Sequence, residues 1–161
     1  MDNFLLTEEI MFDCKPDAVP YNYRISYKMS QLALIIGMCC GARSGCTLLK
    51  LHVISYALNS QINMNQLEEY INGNRQSVMV RLDPAVNRAV KYALADKVIM
   101  QLKNGSYKLT DKGKKLVALI KQNDDLMKKE KSYLSQVGTK LSTDMIEKLM
   151  AIWGYTNVKN K

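Results

Sequence analysis

Apolar residues near the start of the chain recur at the spacing of one helix face. The first such series predicts a helix over residues 23–40. Its apolar positions are Ile25, Met29, Leu32 and Ile36. We expect Lys28 and Gln31 to point away from this face, and Gly41 to end the helix.

The next stretch, residues 48–60, is apolar on almost every side, which predicts a buried helix. Thr47 precedes it and is a favourable N-cap residue. Its polar positions form one narrow stripe of His52, Ser55 and Asn59. A shorter third helix is predicted from Met64 to Ile71, and alternating apolar residues then predict a short strand within residues 74–82.

A strong helix start follows at Asp83-Pro84, where a capping residue precedes proline at the first helical position. The inward positions of this helix are Val86, Ala89, Val90, Ala93 and Leu94. Its outward positions are Asn87, Arg88 and Lys91. Two short apolar runs, 98–102 and 107–109, then surround Asn104-Gly105, which predicts a β-hairpin.

The last third of the chain is predicted to be helical. Thr110 caps a helix expected to run over residues 111–136, about 39 Å long, although residues 123–125 interrupt its apolar stripe. A final helix is predicted over residues 142–152, with an apolar face that includes Met145, Leu149 and Trp153. That face is expected either to fold back on the chain or to dock on a partner.

These elements predict a mainly α fold (α+β): a winged helix-turn-helix-like domain with a small β-hairpin wing and extra C-terminal helices. We divide the chain into an acidic, apolar arm (1–22), a winged-helix-like core (23–116) and an extended helix with a C-terminal docking helix (117–161). Apolar residues of the two flanking segments are candidate partner-interface residues. They are Phe4, Leu5, Phe12, Met127, Leu134, Met145, Leu149 and Trp153.

Charge is unevenly distributed along the chain. The net charge is +8, but residues 1–22 contain five acids and one lysine, so the body is more basic than the whole. A basic body suits nucleic acid or an acidic protein surface. The candidate DNA contacts lie on the helix from Pro84, just before it, and on the hairpin. They are Arg81, Asn87, Arg88, Lys91, Lys103 and Lys108.

The sequence offers little for catalysis, and we expect a protein that is not an enzyme and needs no cofactor. The four cysteines lack Cys-x-x-Cys spacing and His52 is the single histidine, which argues against a zinc site. His52 is expected to be a satisfied polar residue on a buried helix. The longest apolar run, residues 32–40, is too short to span a bilayer, and we expect a cytoplasmic protein without a membrane partner.

Several stretches together resemble the middle component of three-component ABC-type anti-phage defence systems, the Lamassu-like group. They are "YRISYKMSQLALII" (23–36), "LLKLHVISYALNS" (48–60), "VRLDPAVNRAVKYAL" (80–94) and "NGSYKLTDKGKKL" (104–116). Related sequences have Trp-Ala-Leu in place of Tyr56-Ala57-Leu58 and Gly-Leu-Val in place of Lys97-Val98-Ile99. Without that glycine, we expect the helix to end without the easy left-handed cap.

The resemblance implies a non-enzymatic bridging subunit that links an SMC-like coiled-coil ATPase to an effector nuclease. The assembly would sense foreign DNA, and the basic body of this subunit would contact the DNA backbone without reading its sequence. The alternative is a stand-alone winged-helix transcription regulator. It predicts sequence-selective binding that depends on Arg88 and Lys91.

Overall fold

The secondary structure is known here from a computed structural model, which describes residues 24–159, with side chains up to residue 154. Helices predominate, and the described residues contain one two-stranded antiparallel sheet. In chain order the elements are α1 (Ile25–Cys39), α2 (Leu48–Ala57), α3 (Gln61–Ile71), α4 (Pro84–Ala95), β1 (Ile99–Gln101), β2 (Tyr107–Leu109), α5 (Asp111–Gln122), α6 (Lys128–Val137) and α7 (Thr143–Lys159). The mainly α class with a small β component is therefore confirmed.

Side-chain caps fix the starts of several helices where the sequence predicts them. The Thr47 hydroxyl accepts a hydrogen bond from the Lys50 amide, and the Thr110 hydroxyl accepts one from the Gly113 amide, each at 3.2 Å. A cap that the sequence analysis missed begins α3 at Gln61 rather than Met64. There the Ser60 hydroxyl accepts a hydrogen bond from the Asn63 amide, which lies in the first turn and would otherwise lack a hydrogen-bond partner.

The core is built around α1, which packs against α2, α4, α5 and α6. Four consecutive residues of α1, 32–35, are fully buried, so partners cover the helix on more than one side. Lys28 and Gln31 are each only 1% exposed. The expectation that these two side chains face away from the apolar side into solvent is wrong, because α2 and α4 cover that side of the helix.

Residues 74–82 form no strand. Val78 is buried and Met79 is exposed, so the alternation of burial is present at these two positions. A strand needs a hydrogen-bonded neighbour as well as alternating side chains. In the described part of the chain, β1 and β2 pair with each other, and no ladder includes residues 74–82.

The predicted helix over residues 111–136 is two helices, α5 and α6. The Asn123 side chain ends α5 by accepting hydrogen bonds from the amides of Asp125 and Leu126, both at 3.1 Å. Met127 then takes a left-handed conformation, with φ +51°, before α6 begins. Such local side-chain to backbone bonds compete with helix continuation. The break lets α6 pack back against α1.

The apolar faces of α6 and α7 are interior. Leu134 and Leu149 are fully buried within this chain and Met127 is 9% exposed, so their proposed role as exposed partner-interface residues is wrong. Met145 and Trp153 are half-buried and pack on the same core. The apolar side of α7 has therefore folded back, and the predicted boundary at residues 116 and 117 falls inside α5. Phe4, Leu5 and Phe12 lie outside the described residues.

The junction between α4, the hairpin and α5 is unusually close. A methyl group placed on Gly113 would lie 2.1 Å from the carbonyl oxygen of Val98, so only glycine fits there. Lys97, with φ +56°, closes α4 in the left-handed conformation. The Val98 amide donates to the Ala93 carbonyl at 2.9 Å, which is the bond of a Schellman cap. The chain thus forms the left-handed cap without glycine.

Candidate functional site

The hairpin is tight and is supported by a third extended segment. Gly105 has φ +81°, and the Asn104 side chain accepts from the Ser106 amide at 3.0 Å, which closes the turn. On the other side of β2, the amide and carbonyl of Cys46 bond to Tyr107 at 2.7 and 2.8 Å. The order across the ladder is therefore the Cys46 segment, β2 and β1. This arrangement holds Lys103 exposed near the turn and Lys108 half-buried on β2.

Helix α4 precedes the hairpin and packs against α1 and β1. Its capping residue, Asp83, accepts from the Ala85 amide at 2.8 Å. The inward side contains Ala85, Val86, Ala89, Val90 and Ala93. The outward side, as predicted, exposes Asn87, Arg88 and Lys91, and it also exposes Tyr92.

Asn87 is bonded to a histidine of the core. The Nε2 of His52 lies 3.1 Å from the Asn87 Oδ1, and the His52 Nδ1 lies 3.3 Å from the Asp83 amide. Because that amide can only donate, Nδ1 must accept, and the proton of the neutral ring lies on Nε2. The prediction of a satisfied histidine on a buried helix is confirmed. Because the amide oxygen of the Asn87 side chain is engaged by His52, Asn87 is a weaker candidate for hydrogen bonding to a base.

A buried lysine lies behind the start of α4. The Lys28 ammonium donates to Gln31 Oε1 at 3.1 Å and to Ser55 Oγ at 3.0 Å, and it lies 3.8 Å from a carboxylate oxygen of Asp83. Burial lowers the pKa of Lys28, and the Asp83 carboxylate partly opposes that change. Asp83 thus joins α4 to the polar groups of α1 and α2.

The sequence did not predict this network, because the periodicity of α1 indicates only that Lys28 and Gln31 point away from its apolar face. The signal was present in the polar stripe of α2: Ser55 and His52, three residues apart on an otherwise apolar helix, require polar partners when buried. Lys28 and Gln31 are also three residues apart, on α1, and they provide some of these polar partners. The network anchors α4 and leaves its basic side chains outside.

We define the α4 face as Arg81, Leu82, Arg88, Lys91 and Tyr92, all of which are exposed. Leu82 retains 63% and Tyr92 55% of their accessible surface, so both expose apolar area to solvent. Within the described residues, the side chains of Arg88 and Lys91 make no ion pair and no hydrogen bond. The surface therefore combines free positive charge with exposed apolar area.

Neither a group of metal ligands nor a membrane-spanning helix is found in the described region. Between residues 24 and 159, no three His, Cys, Asp or Glu side chains are grouped as a metal site requires. The same residues contain no helix with the length and apolar character needed to cross a membrane. The α4 face includes three of the six predicted DNA-contact residues, Arg81, Arg88 and Lys91.

Comparisons with protein-family models, with curated proteins and with solved structures find no match to this chain. The α4 face and its supporting network therefore provide the basis for a functional proposal.

Proposed function

We propose that this chain is a non-enzymatic bridging subunit of a bacterial anti-phage defence complex. In this proposal it links an SMC-like coiled-coil ATPase to an effector nuclease in the cytoplasm, as its sequence resemblance to Lamassu-like middle components implies. It binds one of these proteins through the α4 face. Contact with DNA is auxiliary and independent of sequence.

A winged helix-turn-helix-like unit is part of this proposal. Its support is the order of elements: α4 leads directly into the hairpin, and the extended segment at Cys46 adds to the outer side of β2. The helix before such a hairpin occupies the position of a recognition helix. We propose that this chain uses that helix to bind a protein.

The observation that carries the proposal is the exposure of Leu82 and Tyr92 beside basic residues on the α4 face. Aromatic, large apolar and arginine side chains are the types enriched at the centres of protein interfaces. Leaving apolar area in water is unfavourable by about 25 cal/mol per Å², and a partner that covers it recovers this free energy. Arg81, Arg88 and Lys91 would favour a partner surface that is acidic around an apolar centre.

Sequence-selective DNA binding has weaker support on the same helix. Base reading depends on side chains that form directed hydrogen bonds to base edges. On α4, Asn87 is bonded to His52, and the remaining outward positions include Tyr92 and Ala95. Arg88 and Lys91 would suffice for phosphate contacts, which give salt-dependent affinity without sequence preference.

The test is co-purification of the tagged chain from its native cells, with mass spectrometry to identify the ATPase and the nuclease. We expect the wild-type chain to recover the coiled-coil ATPase and the nuclease, and the double variant Leu82→Asp, Tyr92→Asp to lose one of them. Ile62→Asp on α3 is the matched control, since Ile62 is 69% exposed and lies outside the α4 face. All variants are first checked for wild-type helicity. Unchanged recovery with the double variant would refute the role of this face.

The second candidate is a winged-helix transcription regulator, favoured by the exposed Arg88 and Lys91 on the helix before the hairpin. It predicts that the chain purifies without an ATPase and binds one duplex sequence much more tightly than others. Replacing Arg88 by alanine would then weaken binding by about 1–3 kcal/mol and relax its specificity. Fluorescence anisotropy with specific and scrambled duplexes over a salt series separates this outcome from backbone contact alone.

A further inference from the structure

Two cysteines flank the short turn between α1 and α2. The Gly45 amide donates to the Gly41 carbonyl at 3.1 Å, so the chain reverses direction over these five residues. Cys40 lies immediately before the turn and Cys46 immediately after it. The backbone of Cys46 is held in place by its two hydrogen bonds to Tyr107. The turn therefore brings the two cysteines alongside each other at the base of the hairpin.

Across this turn, the Cys40 and Cys46 thiols are near enough to change each other's pKa. A hydrogen bond from the Cys46 thiol lowers the pKa of Cys40, and the nearby Lys50 ammonium acts in the same direction. The same contact and burial raise the pKa of Cys46. Since the thiolate is the reactive form of cysteine, Cys40 is the nucleophile of the pair, and Cys46 lies ready as the second thiol.

Neighbouring Cys39 has different surroundings. Its thiol donates to the Leu134 carbonyl at 3.7 Å, on the α6 side of α1. Burial raises the pKa of Cys39 to about 12. Adjacent residues of a helix point in different directions, so Cys39 belongs to the core whereas Cys40 faces the turn. Cys39 therefore serves as an internal control for any reaction of Cys40.

Small molecules can reach Cys40. It is half-buried and lines two open depressions, one of about 320 Å³ that also contains Lys50 and one of about 220 Å³ that also contains Lys108. Cys46 is fully buried. An oxidant from solvent would therefore meet Cys40 first, and the buried Cys46 would react only with a Cys40 that is already oxidised.

We propose that Cys40 and Cys46 form a redox-responsive dithiol that hydrogen peroxide converts into an intramolecular disulfide. The Cys40 thiolate attacks one peroxide oxygen, the O–O bond breaks, and the leaving hydroxide takes a proton to form water. The resulting Cys40 sulfenic acid is attacked by the Cys46 sulfur, which gives up its proton. The S–S bond forms and the sulfenic oxygen leaves as a second water. Two thiols are oxidised and one peroxide is reduced.

The disulfide would tie the end of α1 to the segment that supports the hairpin. Such a bond removes conformations from the unfolded chain, and more so for longer loops. The loop closed here is short, so we expect the thermal midpoint to rise by only about 5 °C. A reducing thiol would restore the starting state, as is usual for redox-sensing pairs in reducing compartments.

The experiment uses the full chain, reduced, freed of reductant and treated with hydrogen peroxide. Remaining thiols are then blocked with N-ethylmaleimide. We expect four blocked cysteines before oxidation and two after it. Trypsin cleaves after Arg43, between the two cysteines, so a non-reducing digest should contain peptide 29–43 joined to peptide 44–50. This cross-link should disappear on reduction.

Variants assign the sulfur atoms. Cys39→Ala should keep the cross-link, and Cys40→Ser should abolish it while leaving Cys46 alkylatable in the unfolded protein. The wild-type peptide map and Cys40→Ser decide the question even if changes at the buried Cys46 prevent folding. Four thiols that remain blockable after oxidation would overturn the proposal. So would a cross-link that needs Cys39, or one that joins the peptide containing Cys14.

Discussion

Replacing Leu149 by alanine tests whether the last helix belongs to the core of this chain or is a free docking element. Leu149 lies on α7, is fully buried, and belongs to the same core cluster as Leu141 and Ile146. Truncating a leucine in such surroundings removes buried apolar atoms and leaves a cavity, which destabilises by about 2–5 kcal/mol. We expect a loss near the middle of that range, about 3 kcal/mol, which is a large part of the stability of an ordinary domain.

The measurement is urea unfolding followed by circular dichroism, with the thermal midpoint as a second observable. A loss of about 3 kcal/mol corresponds to a midpoint lower by about 10 °C in a chain of this size. Met150→Ala is the matched control. The Met150 side chain, next to Leu149 in the sequence, is 52% exposed, so its truncation should change stability by less than about 0.5 kcal/mol. If Leu149→Ala unfolds at the wild-type urea concentration, α7 does not close the core, and its apolar face regains its role as a docking surface.

Two further changes test the packing around α4. Lys97→Gly should raise the free energy of unfolding by about 0.5–1 kcal/mol, because glycine adopts the left-handed conformation of this cap without a steric cost; a decrease in urea unfolding experiments would contradict this. Lys28→Met should remove a pH dependence: the folded chain loses the Lys28 proton below the ordinary pKa of 10.5, so between the two pKa values the unfolded state binds more protons. Stability of the wild type relative to the variant should therefore increase as pH rises towards 10.5. A difference between the two proteins that stays constant from neutral pH upward would show that burial does not change this titration.

Local signals predicted most of the elements. Thr47, Asp83 and Thr110 cap their helices where the sequence places them, because a cap depends on a side chain and an amide within the same turn. Asn104-Gly105 likewise determines the hairpin turn by itself. The prediction of one helix over residues 111–136 was wrong at Asn123, although residues 123–125 already interrupt its apolar stripe. The interruption is the end of α5, where the Asn123 side chain bonds to the following amides.

Interactions between distant residues could not be predicted in this way. The outward position of Arg88 and Lys91 follows from the period of α4, whereas the contact of Asn87 with His52 needs α2 and α4 to meet. The burial of Lys28 similarly depends on Ser55 and Asp83 arriving from two other elements. Helical periodicity shows which residues share a face, but it does not show how many other elements will cover that face.

The sequence by itself determined where helices begin, where the chain turns and which side chains of α4 face outward, since these depend on residues a few positions apart. Only the tertiary structure decided that α7 folds back, that a lysine is buried behind α4 and that the turn between Gly41 and Gly45 brings Cys40 and Cys46 near each other. The physical reason is that burial and pairing depend on the sum of packing free energies over the whole chain. A core that includes Leu134 of α6 and Leu149 of α7 forms only when separate helices converge.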